Sequence, residues 1–226
     1  IAKRIMVLSC GSIPSTLKVY ITRTTRHFIM TKVNFVILAA GKGSRMRSAL
    51  PKVLHKLSGR SMLGHVVAAV ESLGKAKKII VTGHGAEQVE QQFKSPTTIF
   101  IQQKEQLGTG HAVHMAVPEL CSDAVVIVLY GDVPLIRPAT IQKILAVVTE
   151  STMGLLTINL DQPTGYGRIV RNTSGDITEI IEQKDASVEQ LKITEVNTGV
   201  LALQSSQLSD WLPKITNNNA QGEYYL

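Results

Sequence analysis

The sequence predicts an α/β protein with a mostly parallel sheet covered by helices on both faces. Three observations lead there. Short apolar runs of strand length alternate with segments of helical periodicity from Val33 to Val148. The first run ends at Gly41, where a strand would feed a loop. Beyond residue 154 the alternation gives way to closely spaced strand-like runs, which predict a mixed, partly antiparallel extension of the same sheet.

Val33 to Ala40 reads as a buried parallel strand. Met62, Val66, Ala69, Val70 and Leu73 recur at helical spacing and stop at Gly74. Strand Lys78 to Val81, helix Ala86 to Phe93, strand Ile99 to Gln102 and helix Gly110 to Val117 follow. Strand Val125 to Tyr130 and helix Ala139 to Val148 complete the alternating part. Right-handed crossovers then place any ligand at the carboxyl ends of the strands. Leu155 to Leu160, Gly167 to Arg171, Ile177 to Glu182 and Val196 to Leu203 are the strands of the extension, with a turn at Ser174-Gly175-Asp176. No linker separates them from the first part, and no repeat is present.

The 226 residues, 44% of them apolar, suffice for one substantial core. No apolar run reaches the roughly 20 residues of a membrane span. Cys10 and Cys121 stand in no metal or redox spacing and suit a reducing compartment. The net charge of +7 suggests nucleic acid until it is located. Residues 1–30 hold Lys3, Arg4, Lys18, Arg23 and Arg26 and no acid, which leaves 19 bases against 17 acids elsewhere. A nucleic-acid partner is therefore not expected. Residues 1–30 read as an extension, either disordered or lying upstream of a true start at Met30, and 31–226 as the folded domain.

Gly41-Lys42-Gly43-Ser44-Arg45-Met46 occupies the place of a dinucleotide-binding fingerprint. Met46 stands where the third glycine belongs, and no acid precedes Glu71 to hold a ribose. A Walker loop fails too, for want of a glycine-lysine-serine/threonine ending. What remains is a flexible backbone whose amides can approach phosphates, with Lys42, Arg45, Arg47 and Lys52 to neutralise them. Pro51 stiffens the presentation of Lys52. An ordinary glycine turn with solvated basic residues is the competing reading at this point.

Leu38 to Met46 followed by Leu50-Pro51-Lys52-Val53-Leu54 resembles the signature of sugar nucleotidyltransferases. More narrowly, the chain is similar to the uridyltransferase half of the bacterial bifunctional N-acetylglucosamine-1-phosphate uridyltransferase and glucosamine-1-phosphate acetyltransferase family. Further motifs carry the likeness: Gln106-Leu107-Gly108-Thr109-Gly110-His111-Ala112, Leu129 to Leu135, Gly165-Tyr166-Gly167-Arg168-Ile169, and Asn217 to Tyr225. The resemblance implies a Rossmann-like nucleotide-diphospho-sugar transferase fold. It implies a cytoplasmic bacterial enzyme that forms UDP-N-acetylglucosamine and pyrophosphate from UTP and N-acetylglucosamine 1-phosphate. Such a product serves cell-wall precursor and lipopolysaccharide synthesis, and neither nucleic acid nor membrane is a partner.

The same resemblance assigns residues. Arg45 and Lys52 would be catalytic, contacting the triphosphate. Leu38, Ala39, Ala40, Gly41, Lys52, Gln103, Gly108 and Thr109 would bind the nucleotide, Gln103 as reader of uracil. An amide carries a donor and an acceptor side by side, which can match a uracil edge; a solvated strand-end residue is the alternative. Tyr130, Gly131, Asp132, Gly167, Glu182 and Asn197 would face the substrate, with Asp132 also holding Mg2+, since magnesium favours carboxylate oxygen. Glu182 could instead form an exposed ion pair among Glu179 and Lys184. His111 and His114 share a helical face but read as packing or surface, and Trp211 with Leu208 and Leu212 as a helix's core face.

In the family the sequence continues through a helix bearing a second metal-binding asparagine, then a left-handed β-helix that transfers acetyl groups and forms trimers. The chain ends at Leu226, before either, and reads as C-terminally truncated. A different sugar-phosphate nucleotidyltransferase and a non-catalytic nucleotide-binding fragment are the alternatives.

Overall fold

The computed structural model describes the backbone of Arg4–Ser9 and residues 32–41, 43 and 46–226. In chain order the elements are β1 (Arg4–Ser9), β2 (Val33–Ala39), β3 (Lys56–Leu57), β4 (Arg60–Ser61), α1 (Met62–Glu71), β5 (Lys77–Thr82), α2 (Ala86–Phe93) and β6 (Thr98–Gln102). Then come α3 (Thr109–Ala116), β7 (Val125–Tyr130), α4 (Pro138–Ala146), β8 (Thr152–Asn159), β9 (Arg168–Arg171), β10 (Ile177–Ile181), β11 (Glu195–Gln204) and α5 (Ser205–Trp211).

One nine-stranded sheet runs β1-β8-β11-β7-β2-β5-β6, with β9 paired to β11 and β10 paired to β9. Strands β7, β2, β5 and β6 are mutually parallel, each joined to the next in sequence by a helix-containing crossover. β11 lies between β7 and β8 and runs antiparallel to both. The mixed part of the sheet therefore lies wholly beyond β7, as an extension of the parallel part. The β3–β4 hairpin stands apart as a second, two-stranded sheet.

Periodicity explains the layers. Successive residues of a strand point to opposite faces, and both faces of β2 are buried. Phe35, Ile37 and Ala39 join a cluster with Leu63, Val66 and Val70 of α1, Val89 of α2, and Ile141 and Ile144 of α4. Val36, Leu38 and Ala40 join the opposite cluster, with Ala112, Val113 and Ala116 of α3, and Leu208 of α5 with the following Leu212. Trp211 packs on the edge of that second cluster, as its helical spacing predicts. α1 starts at Ser61, whose hydroxyl accepts from the Gly64 amide at 3.2 Å, and the turn after it closes at Gly74 with φ 118°.

For Arg4–Ser9 the structure differs from the disordered or spurious extension expected from the sequence. This strand pairs in parallel with β8 from Arg4↔Thr152 to Ser9↔Thr157 and covers an edge that would otherwise leave backbone groups unpaired. Residues 1–3 and 10–31, with Cys10, lie outside the described residues.

Ile127 is fully buried in the central strand β7. Ile127→Ala should lower unfolding free energy by about 2–5 kcal/mol. A urea titration would show this as a lower midpoint at unchanged slope.

Candidate active site

The registers Ala39↔Thr82, Thr82↔Gln102 and Leu38↔Tyr130 bring four strand ends to one edge of the sheet. The residues just beyond are tied down by backbone bonds. Gln103 donates to the Thr82 carbonyl at 2.8 Å, and Gly131 to the Leu38 carbonyl at 2.9 Å. Because β11 is antiparallel, its amino end reaches the same edge and brings Asn197 with it. Gly83 is forced by crowding here, since a Cβ would stand 2.4 Å from the Ala40 carbonyl oxygen.

Lys52 is held from three sides. Its neighbours Val53 and Leu54 are buried in the core, so the short 3-10 turn Lys52–Leu54 is anchored. Pro51 lies so close to Gly85 that a Cβ there would meet its Cγ at 2.4 Å. Gly43 of the glycine loop, with φ 58°, backs onto the Lys52 stem, where a Cβ would sit 2.7 Å away. The ammonium so placed donates to the Asp132 carboxylate at 2.5 Å. Both side chains are about one-third exposed (34% and 29%), and an ion pair that open contributes roughly 1 kcal/mol or less to stability. Its position in the lining of a cavity is the more informative fact.

That cavity, about 320 Å³, is lined by Leu38, Ala39, Ala40, Gly41, Lys52, Gln103, Gly108, Thr109, Tyr130 and Asp132, all named from the sequence. Val53, Gln106, Ala112 and Glu223 line it as well and were missed. All four were within reach of sequence reasoning, because each falls inside a motif quoted above.

The Asn217–Tyr225 motif explains itself in the structure. Asn219 Oδ1 accepts from the amides of Gln221 and Glu223 at 3.1 and 3.2 Å, while its Nδ2 donates to the Glu223 carbonyl at 2.6 Å. This tight turn sets Glu223 in the cavity wall. Tyr224 donates to the Leu107 carbonyl at 2.8 Å and accepts from the Gly110 amide at 2.8 Å. Gly108, at φ 111°, is crossed so closely that a Cβ would stand 2.5 Å from the Tyr224 carbonyl oxygen.

Gln103 is only 3% exposed. Its amide nitrogen donates to the Gly108 carbonyl at 3.2 Å and lies 2.9 Å from His111 Nδ1. The donor half of the amide is thus engaged within the protein, and the oxygen is the half left for a ligand. His111 is accordingly more than the packing or surface residue expected.

Gly167, Glu182 and Asn197 gather beside the cavity rather than in its lining. A Cβ on Gly167 would meet Glu182 Oε1 at 2.8 Å, and the Gly167 carbonyl accepts from the Asn197 amide at 2.9 Å. A register shift in β11 between Asn197 and Leu201 makes a bulge, and Asn197 Oδ1 accepts from the Gly199 amide at 2.8 Å within it. Tyr130 connects the two groups. It lines the cavity together with Thr109, and its ring lies where any Cβ on Gly199 would clash. Burial, against a smaller lowering by Thr109 and with help from the charges of Asp132 and Glu182, pushes the Tyr130 phenol up to about 12.

Glu182 makes no ion pair with Lys184 among the described residues, and Lys184 bonds Gln221 instead, at 3.2 Å. Burial first, then the Asp185 charge, raises the Glu182 carboxyl above its ordinary value, while the buried Arg168 draws it down. Gly131 is buried and sets the end of β7 without lining the cavity. Arg45 lies outside the described residues, as do Lys42 and Ser44.

A larger cavity, about 670 Å³, opens at the opposite edge of the sheet between Phe35, Leu73 and Leu145. It holds no carboxylate and no glycine loop. Among the described residues no helix is long and apolar enough to cross a membrane, and no cluster of three or more His, Cys, Asp or Glu could hold a metal by protein ligands alone.

A sheet of this kind, with a glycine loop, a lysine and a carboxylate at its carboxyl edge, is the arrangement of a nucleotidyltransferase. The chain belongs to the family described as MobA-like NTP transferase domain, whose model matches residues 35–180. Among curated relatives, the bifunctional protein GlmU of Cellvibrio japonicus is 55% identical over 194 residues, covering 86% of this chain and 43% of that protein. The bifunctional protein GlmU of Burkholderia ambifaria gives the same figures. The chain therefore spans less than half the length of these relatives.

Two solved structures share the fold. A UDP-glucose pyrophosphorylase complexed with UDP-glucose is 16% identical, with a TM-score of 0.69 over 87% of this chain and 84% of that one. A nucleotidyl transferase from Methanothermobacter thermautotroptrophicus is 24% identical, with a TM-score of 0.56 over 80% and 76%.

The raised Glu182 carboxyl has a sign that can be tested. The folded state binds this proton more readily than the unfolded state, so the ionised carboxylate costs stability at neutral pH and the cost fades as pH falls. Glu182→Gln should therefore melt higher than the parent near pH 7, and the difference should shrink on acidification toward about pH 4. Thermal melts across that range would show it; a difference that widens on acidification would contradict the assignment.

Proposed function

We propose that this chain carries the site that joins UTP to N-acetylglucosamine 1-phosphate, forming UDP-N-acetylglucosamine and releasing pyrophosphate. One observation carries the reading. Lys52 and Asp132 pair in the wall of a cavity of about 320 Å³ that also includes the buried amide of Gln103. The identity to bifunctional GlmU proteins across 86% of the chain supports the choice of nucleotide and sugar. A cytoplasmic role in supplying cell-wall and lipopolysaccharide precursors goes with that choice.

The sugar phosphate already carries its nucleophile as an oxyanion, so no general base is needed. That oxygen attacks the α-phosphorus of UTP; the new P–O bond forms as the bond to the bridging oxygen breaks and the pair leaves with pyrophosphate. The difficulty is to hold two polyanions in line and offset their charge. In this proposal Lys52 turns from Asp132 to the triphosphate, and the backbone from Leu38 to Gly41 lines its path. Arg45 supplies a second cation there, on the strength of the sequence resemblance. The Gln103 oxygen meets the uracil N3–H, while Gly108 and Thr109 frame the base. Across Tyr130, Glu182 and the free Nδ2 of Asn197 bind sugar hydroxyl and acetamido groups, with Gly167 allowing close approach.

A divalent cation fits this site. The Asp132 carboxylate faces the cavity and already binds a cation, the Lys52 ammonium, and Glu223 lines the same space. Magnesium takes one or two carboxylates together with substrate phosphates and water, which suits a site without a full protein ligand set. Asp132 would hold it, and the ion would supply charge neutralisation to the phosphates.

The direct test is pyrophosphate release from UTP and N-acetylglucosamine 1-phosphate with Mg2+, on this chain and on one carrying the relatives' further length. Release requiring both substrates is expected, and release with CTP or with another sugar phosphate instead would overturn the reading. Lys52→Ala should lower turnover about 100-fold or more at little change in melting temperature. Asp132→Asn should also abolish efficient turnover, yet bind UTP about threefold or more tightly than the parent when metal is removed, because Lys52 is then free. Calorimetry in EDTA measures that second effect.

A further inference from the structure

We infer that His111 is a positioning residue that sets the choice between uracil and cytosine by fixing which end of the Gln103 amide faces the ligand. The inference rests on the proposed reading of Gln103 and goes beyond it.

The two ends of a glutamine amide differ by one proton-bearing atom, and the protein must decide which one points where. Here the decision follows from the partners. The Gly108 carbonyl oxygen, 3.2 Å from the amide nitrogen, is an acceptor only. The nitrogen therefore belongs on that side. The same nitrogen lies 2.9 Å from His111 Nδ1, so that ring atom must accept, and the imidazole is neutral with its proton on Nε2. Both amide hydrogens are then used. The oxygen, without a protein partner among the described residues, is the polar atom Gln103 offers to the cavity.

Uracil presents N3–H, a donor, at the atom where cytosine presents a bare lone pair. A fixed acceptor suits the first and repels the second. Rotating the amide by half a turn would reverse the preference, but it would set oxygen against the Gly108 carbonyl and against the His111 lone pair. With His111 removed, only the carbonyl opposes the rotation. The local structure is consistent with a dedicated role. α3 starts immediately after Gly108, so carbonyl and imidazole are spaced three residues apart on one rigid segment. The Tyr224 backbone clamps that segment at Leu107 and Gly110.

The test is the ratio of dissociation constants for UTP and CTP, measured by calorimetry without sugar phosphate, which needs no turnover. The parent should prefer UTP. His111→Ala and His111→Phe should each lose about tenfold of that preference, chiefly by tighter CTP binding. His111→Asn should keep it, because its side-chain oxygen can accept in place of Nδ1. Phenylalanine fills the space without an acceptor, so a change shared by Ala and Phe but not Asn cannot come from packing alone. An unchanged ratio in both, with the ratio lost in Gln103→Ala, would overturn the role of His111 and leave that of Gln103 standing. A parent without preference for UTP would remove the base-reading account of Gln103, and the His111 inference with it.

Discussion

The contact between Lys52 and Asp132 is where the separate parts of this fold meet. The lysine follows the glycine loop that leaves β2; the carboxylate follows β7, one strand over. Neither position is free to drift. Pro51 is wedged against Gly85, Val53 and Leu54 are sunk in the core, and Gly131 is tied to the Leu38 carbonyl. Two opposite charges are thereby presented at the edge of a parallel sheet, where strand ends leave room for a ligand. As a stabilising device the pair is weak, being partly open to water. In the proposed reading each partner is a counter-charge that a phosphorylated ligand and its cation replace.

The antiparallel strand β11 gives the site its second half. Threaded between β7 and β8, it brings its amino end to the edge where the parallel strands finish, and its bulge fixes Asn197 beside Gly167 and Glu182. Tyr130, packed against Gly199, stands between this group and the cavity it lines with Thr109. In the proposed reading Tyr130, Glu182 and Asn197 take the uncharged sugar groups, and Lys52 the phosphates. The division of chemistry follows the division of the sheet.

Much of this was legible in the sequence because strong local signals agreed with one another. The strongly apolar runs of β2 and β7 suited buried strands, and the glycines after them marked the expected ligand edge. The place of β11 was not legible. Its alternation announces a strand but says nothing of which neighbours it separates, since pairing order is decided by tertiary packing. The pairing of Arg4–Ser9 with β8 escaped for the same reason, a short apolar run in a basic segment having no local feature that names its partner. Gln103 was found through a motif, yet its donor half proved to be spent on Gly108 and His111, which only the folded geometry shows. Glu223 lay in a motif whose purpose became visible only when Asn219 was seen to turn the chain back across Gly108. Arg45 lies outside the described residues.

A crystal structure of this chain with UTP and Mg2+ bears most directly on the account. It should show the uracil N3–H on Gln103 Oε1, with Lys52 Nζ withdrawn from Asp132 and bound to the triphosphate. A base seated elsewhere, or a Lys52–Asp132 pair left intact beneath a bound nucleotide, would contradict it.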